Sequence, residues 1–236
     1  MALLAAAASL GASPARAVLM EPDRRVESSG LHSATGHVSC GSGSGTAQLV
    51  GSGGTIVTAA HVLFGRNGLR ADSRNCRFEI IVDGARLTAP IDVTRVRAGT
   101  SDPYKAHASH DWAVARLAAP LRGVAPYNLG AMPSPGQSVT LVSGRTLGQT
   151  GSVMRESCQV RALRRAEGGN EVMIDCSAQA GDSGAALFDR AGRVTAVYVG
   201  FRSTAPQLRQ SFSTEHYNFA VAVSASMRAA LAELSQ

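Results

Sequence analysis

From about residue 45 onward, short apolar stretches rich in Val, Ile and Thr recur along the chain, most of them bounded by Gly, Asp, Asn or Pro. They include TAQLV (46–50), TIVTAAHVLF (55–64), FEIIVDG (78–84), DWAVARL (111–117), SVTLVSG (138–144), EVMIDC (171–176), GAALF (184–188), RVTAVYV (193–199) and YNFAVAVS (217–224). Short strands at such spacing predict an all-β sandwich or barrel. Helical periodicity appears only at the end. There SASMRAALAELSQ sets Met227, Ala230, Leu231 and Leu234 on one face, with Ser224 as N-cap.

The chain has 236 residues, 44% of them apolar and 17% charged, which excludes a disordered polypeptide and is enough for a self-supporting core. Gly and Pro cluster in LGAMPSPGQS (129–138) and divide the chain near its middle. The glycines of residues 40–54 precede a strand-like segment, whereas a phosphate-cradling loop opens a helix, so a nucleotide site is rejected.

The net charge is +6, and every basic residue except Lys105 is an arginine. The arginines are scattered, the longest runs being the pairs Arg24-Arg25 and Arg164-Arg165. Without a basic stripe or interleaved aromatics, a nucleic-acid partner is not expected. Residues 1–12 are apolar but too few to cross a bilayer, which takes about 20. They fit the apolar part of a secretory signal, and Ala15-Arg16-Ala17 offers a cleavage site, although no Lys or Arg precedes Arg16. A signal peptide over 1–17, a secreted or periplasmic location and no membrane anchor are therefore expected. The four cysteines, Cys40, Cys76, Cys158 and Cys176, then imply two disulfides in one of three pairings. None forms C-x-x-C, and no histidine sits at finger spacing, so no metal site is expected.

Three segments carry chemistry: VTAAHV with His61, HDWAVARL with Asp111 and AGDSGAAL with Ser183. A serine becomes a strong nucleophile when an imidazole takes its proton and a buried carboxylate fixes that imidazole's tautomer. Two rival triads fail. Ser183, Asp189 and His216 run in α/β-hydrolase order, but Ala185 stands where the G-x-S-x-G elbow needs its last glycine. Asp102 lies in the polar turn TSDPYK, too wet to orient a histidine rigidly.

TAAH at His61, GDSG at Ser183, the Asp opening an apolar strand at Asp111 and the order His–Asp–Ser together resemble the chymotrypsin/trypsin family of serine peptidases. GTAQLVGSGGTIVTAAHVL and CSAQAGDSGAALF are similar to its bacterial, glutamyl-endopeptidase-like branch. Val62 follows His61 where animal members carry a cysteine, and Cys176 lies seven residues before Ser183.

The resemblance implies two antiparallel six-stranded β-barrels, 18–128 with His61 and Asp111 and 129–236 with Ser183 and the terminal helix. It implies an exported serine endopeptidase that needs no cofactor and acts as a monomer on protein or peptide substrates. Gly181 and Ser183 would supply the oxyanion amides. Cys40 would pair with Cys76 and Cys158 with Cys176, each pair within one barrel. Asp182 would need a partner: a new terminal amine at Val18, Arg24 or Arg25, or backbone amides and hydroxyls. The primary pocket would be walled by Ser177, Ala178 and Gln179 on one side and by Tyr198 and Gly200 on the other. Neither an acidic floor nor the histidine of an I-H-W-G-like run is in place, so a neutral residue is expected before the cleaved bond. His216 is the remaining candidate for acidic preference, and Asp175 for basic preference. The alternative is a non-catalytic binding protein on the same fold.

Overall fold

The computed structural model describes residues 18–30, 32–70 and 75–236, so the expected signal peptide lies outside the described residues. In chain order the elements are β1 (Val26–Ser28), β2 (Thr35–Cys40), β3 (Gly43–Val50), β4 (Thr55–Thr58), α1 (Ala60–Leu63), β5 (Phe64–Gly65), β6 (Gly68–Leu69), β7 (Arg77–Val82) and β8 (Ala85–Ala98). A 3-10 turn (Ala108–His110) leads into β9 (Ala113–Leu117). The second half contains β10 (Ser138–Ser143), α2 (Leu147–Thr150), β11 (Val153–Ala166), β12 (Gly169–Ile174), β13 (Ala186–Phe188), β14 (Val194–Ser203), β15 (His216–Ala222) and α3 (Ala225–Leu234).

Strands β2-β3-β4-β9-β8-β7 close into one antiparallel barrel. The second barrel closes through β11, whose first half pairs with β10 and whose second half pairs with β12, beyond an irregularity between Val160 and Ala162. The ring is then β11-β10-β13-β14-β15-β12. Along β11 the side chains alternate: Glu156, Cys158 and Val160 turn inward while Ser157 and Gln159 face water. The second barrel's interior is filled by such residues as Leu141, Val160, Ile174, Leu187 and Tyr198.

Both ends of the described part of the chain cross to the opposite barrel. Val18 and Met20 are fully buried, and β1 adds to the outer edge of β11 in the second barrel. In turn, α3 leaves the second barrel and packs on β8 and β9 of the first. Ser224 caps α3, its Oγ accepting from the Met227 amide at 3.2 Å. Arg97 Nε fixes the other end with a 3.0 Å bond to Glu233. Disulfides join Cys40 to Cys76 and Cys158 to Cys176.

The segment TIVTAAHVLF departs from an uninterrupted strand. It is strand only to Thr58, then turns at Ala59 into the one-turn helix α1. That break lifts His61 off the barrel wall.

Candidate active site

Strands β4 and β9 are neighbours, with Thr58 opposite Ala113. His61 comes shortly after that point on one strand and Asp111 shortly before it on the other. The register therefore sets the two side by side. Asp111, 7% exposed, follows the 3-10 turn. Its Oδ1 accepts from the His61 amide at 2.9 Å, and its Oδ2 lies 2.7 Å from His61 Nδ1. A carboxylate on Nδ1 favours the tautomer with the proton there, leaving Nε2 as a proton acceptor.

The second barrel buttresses this acid. Ser109 Oγ donates to the Glu167 carbonyl in the β11–β12 turn. The imidazole of His110 occupies the space a side chain on Gly168 would need.

Ser183 stands in the loop between β12 and β13. Its carbonyl accepts from the Thr46 amide of β3 at 2.7 Å. A Cβ on Gly45 would meet Ser183 O at 2.6 Å and Val62 Cγ2 at 2.7 Å, so this glycine lets the serine's main chain approach the helix that carries His61. Gly184 is equally constrained: its φ is +87°, and a Cβ there would collide with Thr46 O.

The amides of this loop alternate in use. Asp182 N donates to Gln179 O at 3.1 Å, and Gly184 N donates to Tyr198 O at 2.8 Å. Among the described residues, neither Gly181 N nor Ser183 N donates to a protein group. Two unpaired donors flanking Asp182, on a turn with Gly181 at φ +95°, can receive a developing negative charge.

Asp182 is buried, and burial pushes its carboxyl above the usual carboxylate range. It is held by Ser143 Oγ at 2.6 Å and the Gln179 amide at 2.6 Å, with Arg145 Nε at 3.3 Å. Val18 N instead points to Asn218 Oδ1, 3.4 Å away. Arg24 reaches the Asp175 carbonyl at 3.2 Å, and Arg25 pairs with Asp23 at 2.7 Å. Of the partners considered from sequence, an amide and a hydroxyl are present. Arg145 was missed, because nothing distinguishes it among scattered arginines.

The expected pocket residues gather around the incoming N-terminal segment. Ser177 Oγ accepts from Met20 N at 2.9 Å, and Ala178 N donates to Val18 O at 3.0 Å. Gln179 turns its side-chain oxygen toward Arg25, 2.8 Å away. Tyr198 is fully buried, its hydroxyl donating to Asn218 Oδ1 at 3.0 Å. Gly200 lies against the Phe219 ring. His216 is buried, with Nδ1 2.8 Å from Ser203 Oγ and Nε2 3.5 Å from Leu19 O. Asp175 Oδ1 accepts from Gln159 N at 2.7 Å, and its other oxygen lies 3.5 Å from Arg161. Asn218 was not foreseen, yet its Nδ2 joins Val18 O at 2.8 Å to Cys176 O at 2.7 Å. Glu156 was also missed: its Oε2 accepts from Ser177 N at 2.8 Å, and burial pushes its pKa up to about 7.

The rival acids are engaged elsewhere, Asp189 with Arg193 at 2.8 Å and Asp102 with Lys105 at 3.1 Å.

Residues 43–197, a span containing His61, Asp111 and Ser183, match the family model of the trypsin-like peptidase domain. The chain belongs to the trypsin-like serine peptidases. These are serine-type endopeptidases, and the peptidase domain implies peptide substrates.

No curated protein sequence matches this peptidase. Its fold is similar to that of a Glu endopeptidase solved in complex with MPD, with a TM-score of 0.70, 15% identity and coverage of 93% of this chain and 100% of that one. It is also similar to the MamO protease domain from Magnetospirillum magneticum, at TM-score 0.57, 15% identity and 86% and 97% coverage. For Deg5 the figures are 0.56, 20%, 82% and 85%. At these identities the likeness is one of fold.

Proposed function

We propose that this peptidase hydrolyses peptide bonds through Ser183, His61 and Asp111 by way of an acyl-enzyme. The observation that carries the reading is the pair of hydrogen bonds between His61 and the Asp111 carboxylate, one oxygen accepting from the main-chain amide and the other 2.7 Å from Nδ1. His61 Nε2 takes the proton of Ser183 Oγ as the oxygen attacks the scissile carbonyl. The tetrahedral oxyanion accepts from Gly181 N and Ser183 N. His61 then gives the proton to the leaving amine, and water, activated by the same imidazole, releases the acyl group. Asp111 keeps the ring oriented and stabilises the imidazolium.

An extended substrate has a strand edge to follow. Residues 200–203 of β14 pair with β15 on one side, and β13 reaches only as far as Val197 on the other. A peptide can add to the open side by main-chain hydrogen bonds. With Tyr198 and His216 both committed to buried partners, the reading is a neutral residue before the cleaved bond. Two disulfides are compatible with an oxidising compartment and support export, with the enzyme acting as a monomer.

A fluorophosphonate probe tests the reading. Covalent labelling of the wild type at Ser183, absent in Ser183→Ala and His61→Ala, is expected. Failure to label folded wild type would make the chain a binding protein on this fold. A peptide-library profile dominated by Arg or Lys would refute the neutral pocket, and one dominated by Glu would return His216 to the site.

A further inference from the structure

A one-turn helix is a poor platform for a general base. The last four carbonyls of an α-helix have no partners within it, and α1 consists of four residues in all. The first carbonyl, that of Ala60, is taken by the Phe64 amide. The other three are all taken by one residue, Arg70, which follows β6. Its backbone amide donates to Leu63 O at 3.1 Å, its Nε to Val62 O at 3.1 Å and its Nη2 to His61 O at 2.9 Å. Its Nη1 donates to Ser42 Oγ at 3.0 Å, tying the group to the turn between β2 and β3.

The surroundings are shaped for this guanidinium. A Cβ on Gly43 would collide with Arg70 Nε and with Val62 O. Glycine at that point of β3 leaves the gap in which the arginine reaches the helix end.

His61 is therefore gripped at both of its peptide groups. Its N–H donates to the Asp111 carboxylate, and its C=O accepts from the Arg70 guanidinium. Both are charge-assisted bonds, which are shorter and about twice as strong as neutral ones. A turn about either backbone dihedral of His61 breaks one of them. The main chain, and with it the direction of the imidazole, is fixed from both sides.

We propose that Arg70 is a positioning residue for the general base, acting through the His61 carbonyl without touching substrate. The inference rests on His61 serving as that base. A planar fork with fixed donor directions suits three acceptors at once, and an ammonium does not.

The test uses Arg70→Met and Arg70→Lys in the full chain. Misplacing a catalytic group by about 1 Å costs roughly 10²-fold. Arg70→Met is expected to lower kcat on a peptide substrate by roughly ten- to a hundredfold. KM should stay nearly constant, because the proposed pocket walls lie in the second barrel. Arg70→Lys should recover only part of the loss. A second readout needs no turnover. In a Ser183→Ala background, the low-field proton resonance shared by His61 Nδ1 and Asp111 should be sharp when Arg70 is present and broadened or lost in Arg70→Met. An unchanged kcat, a loss confined to KM, or an unaltered resonance would overturn the proposal. If wild type neither turns over nor labels at Ser183, the triad reading falls, whereas the resonance still reports on the clamp. Should Arg70→Met fail to fold, Arg70→Lys carries the same measurements.

Discussion

The Nε of Arg145 stands 3.3 Å from Oδ1 of Asp182, the buried carboxylate immediately before Ser183. The same arginine fills the space beside Gly181, where a Cβ would meet its Cγ at 2.9 Å. One side chain from the end of β10 thus supports the turn that presents both unpaired amides, in a chain whose Val18 amide points elsewhere.

Arg145→Met should destabilise the fold by about 1–3 kcal/mol, the range for leaving a buried polar group short of a partner. It should also slow fluorophosphonate labelling of Ser183. Thermal unfolding and labelling rates measure the two effects, and a normal labelling rate in a folded variant would remove Arg145 from the support of the oxyanion turn.

Asp111→Asn should keep the fold and lower kcat by about 10⁴, the size of the same change in a trypsin-like triad. An asparagine can present its amide to Nδ1 and select the wrong tautomer. Steady-state kinetics beside an unchanged unfolding midpoint would bear this out; retained activity would point to a different orienting group.

Glu156 gives a pH signature. Burial raises its pKa from 4.5 to about 7, so the folded chain holds this proton more tightly than the unfolded one. Its contribution to stability is fully present below about pH 4.5 and is lost as pH rises through 7, a change on the order of 3 kcal/mol. Glu156→Gln, which can still accept from Ser177 N, should therefore unfold later than wild type at pH 8. The difference should vanish near pH 4. Equal midpoints at both pH values would show that the charge is solvated.

Removing the Cys158–Cys176 link by a double change to alanine should lower stability by about 2–4 kcal/mol. The bond closes a sequence separation of 18 residues within one barrel. Chemical denaturation of the variant should show this loss, and reduced wild type, which gives up the Cys40–Cys76 link as well, should lose more.

Most strands that pack against the barrel interiors were legible in the sequence because their Val, Ile and Thr runs are dense, whereas β2, TGHVSC, was not, since Val38 is its single β-branched aliphatic residue. So was α3, from Ser224 and the spacing of Met227, Ala230 and Leu234. The long strands β8 and β11 were not read, because Arg86, Arg95, Arg97, Arg155, Arg161 and Arg164 break their apolar runs with outward or edge positions. The helix at His61 was hidden for the opposite reason: Ala60, Val62 and Leu63 are apolar enough to continue a strand. Motif order alone selected His61 and Asp111, which the register of β4 and β9 sets together. The supporting residues Arg145, Asn218 and Glu156 carry no local signal, since their partners lie between 20 and 200 positions away in the chain.

The two cross-links are sequential rather than interleaved: one is complete at Cys76, and the other does not begin until Cys158. A chain emerging from its N-terminus presents the first pair of thiols long before the second. Native partners therefore meet without competition for as long as the first bond closes promptly, and an oxidised first barrel can wait for its partner to be delivered. Scrambling demands delay, so slow oxidation is the condition under which mispaired, barrel-bridging isomers accumulate.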